Sequence, residues 1–210
     1  MNLDTSKRQI FMFAPYLAVV IGMVLLHNAF IALFTYNGLL ALAVWIYRKD
    51  LNLIKDHNKT KPLLLIGAVL VCGSSGAGFY LLWPLVKLKG LDLSQTLGDF
   101  GFNKTIELPL LIYFTIIHSF IEESYWRFVL KNNSSSLCLS DFMFGGYHIL
   151  VLIYFIPWYL ALACFIILVI AAWLWRMIRE KYHDHLTIYL SHGVADFSII
   201  FFTLKLTHFN

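Results

Sequence analysis

Long apolar runs separated by short polar stretches cover most of the 210-residue chain. Each run approaches the roughly 20 apolar residues that an α-helix needs to cross a bilayer. The pattern predicts seven such spans, at about 10–26, 29–47, 63–85, 109–130, 139–156, 158–177 and 186–204. We therefore expect an all-α fold, a polytopic transmembrane helical bundle of about seven spans.

The composition supports a membrane protein with a single domain. Hydrophobic residues make up 60% of the chain and charged residues 13%, whereas soluble domains are about 45–50% apolar. No hydrophilic stretch is long enough to hold a second core, so residues 1–210 are expected to form one transmembrane domain. Small residues from Gly73 to Gly78 predict close helix packing in the third span.

Basic residues are distributed unevenly between the predicted loops. If the N-terminus is cytoplasmic, Lys87, Lys89, Lys104 and Lys205 lie outside. The inner segments then hold the larger set: Lys7, Arg8, Arg48, Lys49, Lys55, Lys59, Lys61, Lys131, Arg176, Arg179 and Lys181. This bias predicts a multi-pass protein, in the cell membrane, with a cytoplasmic N-terminus. The basic residues form no patch interleaved with exposed aromatics, so the expected partners are lipid and a membrane-associated peptide or protein, not nucleic acid.

A few charged residues lie well inside the predicted spans. Glu122, Glu123, Arg127 and Asp196 are such positions, and each charge at a helix centre costs about 2.5–3.5 kcal/mol on insertion scales. They are tolerated only if they face the bundle interior and contact one another. Glu123 and Arg127 are four residues apart, so they share a helix face and can pair.

The polar residues of three spans are also predicted to lie at similar depths. Helical rise places Glu122 and His148 roughly 13 Å from the cytoplasmic ends of their spans. His192 lies roughly 10 Å and Asp196 roughly 16 Å from the start of the last span. One polar cluster in the cytoplasmic half of the membrane is the expected arrangement.

Three short motifs follow one another on the fourth, fifth and seventh spans. They are Glu-Glu-x-x-x-Arg at 122–127, Phe-x-x-x-His at 144–148 and His-x-x-x-Asp at 192–196. In this order, they resemble the motifs of the CPBP family of CAAX proteases and bacteriocin-processing enzymes, also called the Abi family. The resemblance covers about 109–204, the expected protease-like core, and the first three spans carry no matching motif.

The resemblance implies an intramembrane, glutamate-dependent endopeptidase that cleaves a membrane-associated peptide or C-terminal segment. By that resemblance, Glu122 would activate a water that His148 helps to hold. His192 with Asp196 would stabilise the oxyanion of the tetrahedral intermediate. The motif residues expected to brace the site are Glu123 and Arg127.

Other interpretations remain open at this stage. No cofactor is expected, but a zinc variant could use Glu122, His148, His192 and Asp196 as ligands. The alternative function is a non-catalytic membrane immunity or scaffold protein of the same fold, and a proton-coupled transporter is a third possibility. His118 is expected to have a packing or supporting role, and His183 and His185 to be solvated. The loop at 87–107 is expected to be a plain connector.

Overall fold

The computed structural model describes residues 3–50, 60–130 and 134–208, and no strand occurs among them. Within these ranges, seven helical segments match the predicted spans, and a short helix lies between the third and fourth. We number the eight helices α1 Lys7–Leu25 (helical from Leu3), α2 Ala29–Ile46, α3 Pro62–Val86, α4 Leu93–Asp99, α5 Lys104–Val129, α6 Leu139–Leu152, α7 Trp158–Tyr182 and α8 His185–His208. The prediction of an all-α polytopic bundle is confirmed.

Six of these helices are long and apolar enough to cross a membrane, and the predicted fifth span differs from them. Helix α6 has 14 residues and ends at Leu152, before the predicted residue 156. Its length is about 21 Å, less than the roughly 30 Å hydrocarbon core. It ends early because turns follow it, and Pro157 then caps α7. The connection from Leu152 to the start of α7 at Trp158 is therefore made by non-helical chain.

Two tight connections position the N-terminal helices. His27 adopts a positive φ of 48°, and Asn28 caps α2 by accepting hydrogen bonds from the backbone N–H groups of Phe30 and Ile31. This explains how two spans are joined by so short a turn. Gly22 packs directly on the backbone of Ala32, where a Cβ atom would overlap it.

The segment at 87–107 is more than the plain connector that the sequence predicted. It contains α4, which Asp92 caps by accepting from the Gln95 N–H at 2.9 Å. Backbone hydrogen bonds join it to two other parts of the chain, from Ala29 N to Phe100 O at 3.0 Å and from Leu88 N to Phe155 O at 2.9 Å. The segment therefore packs on the bundle at the end of α3.

Helices α3 and α8 form an intimate pair. The Ser198 hydroxyl donates to the Gly73 carbonyl at 2.6 Å and accepts from the Gly76 N–H at 3.0 Å. A Cβ atom on Gly76 would overlap the Ser198 carbonyl. The predicted role of this small-residue segment in close helix packing is confirmed, and it fixes the position of α8.

Polar groups at the opposite end of α8 are buried rather than solvated. Asp184 accepts from the Thr187 N–H at 3.0 Å and from the Lys61 N–H at 3.3 Å, which ties the start of α8 to the start of α3. His185 is buried and packs edge-on against Phe128 at 4.7 Å. The expectation that His185 is solvated is therefore wrong, because α5 covers it.

One residue assigned to the inner loops by charge is instead a buried helix residue. Arg176 donates to both carboxylate oxygens of Asp141, at 3.1 and 2.7 Å, and also to the carbonyls of Ser134 and Ser136. It therefore clamps the start of α6 to α7. Lys55, Lys59 and Lys131, which also entered the charge argument, lie outside the described residues.

Candidate functional site

The Glu122–Glu123 pair lies in the most enclosed part of α5. All residues from 122 to 129 are buried, which means that neighbouring helices surround this stretch on every side. Two π-helical turns, Tyr113–His118 and Ser124–Val129, flank the pair. Such turns insert an extra residue into the helical repeat, redirect the side chains that follow, and are frequent at functional sites.

Glu122 is enclosed by polar side chains from four helices. It is 1% exposed. Its Oε1 atom accepts hydrogen bonds from the hydroxyls of Tyr36 on α2 and Tyr147 on α6, the latter at 2.7 Å. Its Oε2 atom lies 3.3 Å from His192 Nε2 on α8, and His118 Nε2 approaches Oε1 at 3.7 Å.

Glu123 forms the ion pair that its spacing predicts. The Arg127 Nε–H donates to Glu123 Oε2 at 3.0 Å, and both side chains are completely buried. Glu123 Oε1 lies 2.7 Å from His192 Nδ1. The pair therefore orients the imidazole, since that ring nitrogen is fixed by a carboxylate which is itself held by a guanidinium.

His192 is the point at which the two glutamates meet. Its Nδ1 atom faces Glu123 and its Nε2 atom faces Glu122, while the Trp175 indole stacks on the ring at a centroid distance of 4.6 Å. Asp196, one turn further along α8, approaches Nε2 at 3.7 Å. Asp196 Oδ2 is buried and has no hydrogen-bond partner among the described residues.

His148 borders this cluster without contacting Glu122 directly. Its Nδ1 atom lies 3.0 Å from the Phe144 carbonyl, and its ring stacks on Tyr147 at 4.0 Å. In the part of the chain that the structure describes, no hydrogen bond joins His148 to Glu122. Five of the six predicted site residues thus form one chain of contacts, and the sixth lies beside it.

Neighbouring helices pack against both glycines of the second motif. Gly145 faces the Phe165 carbonyl and the Val169 side chain of α7, and Gly146 faces the Tyr16 hydroxyl of α1. Glycines in a membrane helix let another helix or a substrate backbone come close. Helix packing accounts for both glycines.

Several residues of the site do not belong to any of the sequence motifs. Tyr36 and Asn37 come from α2, which has no motif, although two adjacent polar residues in an apolar run were a usable signal. Asn37 Oδ1 lies 3.1 Å from His118 Nδ1, so these residues extend the polar cluster away from His192. Tyr147 is adjacent to a motif histidine, and Trp126 donates to the Tyr36 hydroxyl at 3.1 Å.

The arrangement gives no support to the zinc variant. Among residues 3–50, 60–130 and 134–208, no group of three or more His, Cys, Asp or Glu side chains is placed to hold a metal ion. Both ring nitrogens of His192 face carboxylates instead.

The chain was also compared with known proteins. No protein-family model, curated protein or solved structure matches it.

Proposed function

We propose that this protein is an intramembrane endopeptidase of the CPBP type, which cleaves a membrane-associated peptide or C-terminal segment. The observation that carries the proposal is the pairing of a buried carboxylate with an oriented imidazole, Glu122 Oε2 and His192 Nε2 at 3.3 Å. Charged groups inside a membrane bundle are costly and therefore mark functional sites by default. The order of the three motifs along the chain, at 122–127, 144–148 and 192–196, supports the CPBP assignment.

The proposed reaction needs only water and a peptide carbonyl. Glu122 takes a proton from the water, and the water oxygen forms a bond to the carbonyl carbon. His192, beside Asp196, donates to the oxygen that becomes negatively charged. The C–N bond then breaks, and the leaving nitrogen receives the proton held by Glu122. Glu123 and Arg127 keep His192 oriented, and His148 helps to hold the water.

The proposed location of the protein is the cell membrane. The basic residues of the described loops favour a cytoplasmic N-terminus in the cell membrane, which places the site in the cytoplasmic half of the bilayer. The substrate would then reach the site from that side. Peptides or membrane proteins with a segment anchored at the cytoplasmic surface are the corresponding substrate class.

A Glu122→Gln variant tests the proposal directly. Gln keeps the size of the side chain but cannot take a proton, so cleavage should fall by about 10²–10⁴-fold. Wild type and variant, each in native membranes, are compared on a panel of membrane-anchored peptides by terminal-peptide mass spectrometry. Glu107→Gln is the matched control, because Glu107 lies on the same helix but pairs with His208 at the other end. Equal cleavage by wild type and Glu122→Gln would overturn the proposed mechanism.

A non-catalytic immunity or scaffold protein of the same fold is the second candidate. The near-complete burial of Glu122, with contacts from four helices, favours it, because such a residue can serve to lock a bundle. In that case Glu122→Gln lowers the free energy of unfolding and no Glu122-dependent cleavage product appears. A folded Glu122→Gln variant that has lost cleavage excludes this candidate.

A further inference from the structure

Two tyrosine hydroxyls from different helices converge on one oxygen of Glu122. Tyr147 on α6 donates to Oε1 at 2.7 Å, and Tyr36 on α2 donates to the same atom. Both tyrosines are buried, at 6% and 5% exposure. Water therefore has little access to either hydroxyl, and a lost donor would not be replaced readily.

The direction of the Tyr36 bond follows from its other partner. Trp126 Nε1 lies 3.1 Å from the Tyr36 hydroxyl oxygen, and an indole N–H can only donate. The Tyr36 oxygen therefore accepts this bond, and its own proton is available for Glu122. A carboxylate oxygen has two lone pairs, so the two tyrosines together fill the acceptor capacity of Oε1.

The second oxygen of Glu122 is in a different position. Oε2 has the His192 Nε2 atom at 3.3 Å and keeps a further lone pair. We infer that Tyr36 and Tyr147 are positioning residues that hold Oε1, so that Oε2 is the oxygen that takes the proton from the attacking water. The proton-transfer part of this inference rests on the proposed function, whereas the fixed carboxylate does not.

The other polar groups around Glu122 belong to residues other than the two tyrosines. His118 approaches from α5 and His192 from α8, with Glu123 and Asp196 on the far side of His192. His148 lies beside Tyr147 on α6. A Tyr→Phe change keeps the ring that packs against these groups and deletes the hydroxyl that donates to Glu122. At Tyr36 the change also removes the acceptor of the Trp126 N–H.

We call the Tyr36 and Tyr147 hydroxyls that hold Glu122 Oε1 the carboxylate clamp. Infrared spectroscopy of the full chain in lipid vesicles at one fixed pH tests whether this clamp exists. The difference between wild type and Glu122→Gln identifies the Glu122 carboxylate band. Tyr36→Phe and Tyr147→Phe should each shift this band, and the double variant should shift it further. Tyr125→Phe is the matched control: Tyr125 is buried on α5, but its hydroxyl donates to the Arg8 carbonyl at 2.9 Å. A band that is unchanged in the folded Tyr36→Phe and Tyr147→Phe proteins would overturn the inference.

Kinetics test the positioning role with the peptide that shows Glu122-dependent cleavage. Each Tyr→Phe change at the clamp should lower kcat by about 10- to 100-fold with KM unchanged, because a misplaced carboxylate binds no less substrate but reacts more slowly. Tyr125→Phe should keep the wild-type kcat. If cleavage depends on Glu122 but kcat is unchanged in both clamp variants, this inference fails and the proposed function stands. If no peptide is cleaved, the proton-transfer part of the inference fails together with the proposed function. The shift of the infrared carboxylate band then tests, without any activity, whether Tyr36 and Tyr147 hold Glu122.

Discussion

Arg127 is a completely buried guanidinium whose hydrogen-bonding groups are only partly satisfied. Its Nε–H donates to Glu123, but Nη1 and Nη2 have no hydrogen-bond partner among the described residues. The guanidinium instead lies over the rings of Phe144 and Trp175, at 5.2 and 5.8 Å. Its position is therefore set by one ion pair and two aromatic faces.

Arg127→Met should destabilise the protein strongly. The change leaves Glu123 buried without its guanidinium, and breaking a buried pair in this way costs about 3–5 kcal/mol. The Glu123→Gln/Arg127→Met double variant should recover part of that free energy of unfolding, because no lone charge remains. Denaturant unfolding in detergent measures both, with Arg48→Met as the control, since Arg48 lies in an exposed contact with the Trp45 carbonyl. Equal stability of Arg127→Met and wild type would show that the pair is not needed for folding.

Part of the site could be predicted from local spacing at the scale of single residues. The Glu123–Arg127 pair follows from the helical repeat, because four residues bring two side chains to one face. The Tyr36–Glu122 contact could not be predicted in this way, since it joins residues 86 positions apart and depends on how α2 packs against α5. The buried Arg176–Asp141 pair was missed for a similar reason, because a charge near a span end resembles a loop charge.

At the scale of helices, apolar run length predicted the elements well and their ends less well. Helix α7 extends to Tyr182, beyond the predicted residue 177, and ends where His183 adopts a left-handed conformation with a φ of 50°. Helix α6 ends before its apolar run does, because the chain turns ahead of Pro157. The local backbone conformation at each end, which hydropathy does not contain, determines where the two helices stop.

Gly76→Ala tests the packing of α3 on α8. The added methyl group would overlap the Ser198 carbonyl, which is backbone and cannot rotate away. Overpacking of this kind costs about 1–3 kcal/mol, so the melting temperature in detergent should fall. Gly78→Ala on the same helix meets nothing within 4 Å and should be neutral or stabilising by about 0.5–1 kcal/mol. A Gly76→Ala protein as stable as Gly78→Ala would show that the two helices can separate at little cost.

At the scale of the whole molecule, contacts between helix ends define two sides. Asp184 joins the starts of α3 and α8. On the opposite side, the end of α3 meets the segment after α6, and His208 at the end of α8 lies 2.9 Å from Glu107 near the start of α5. Successive spans are expected to cross the membrane in alternating directions. The contacts between helix ends agree with that expectation, although α6 is short. Which side is cytoplasmic is a separate matter, and only the basic residues address it.

Cysteine labelling in intact cells tests the orientation, and with it the side from which a substrate must approach. In a background with Cys72, Cys138 and Cys164 changed to Ser, Lys89→Cys and Lys181→Cys each place a thiol at an exposed position on opposite sides. Because basic residues are enriched in cytoplasmic loops, a membrane-impermeant maleimide should label Lys89→Cys in intact cells, and Lys181→Cys only after permeabilisation. The reverse pattern would place the N-terminus outside. The Glu122–His192 pair would then face the extracytoplasmic half of the bilayer, and the substrate class would change to peptides anchored at that surface.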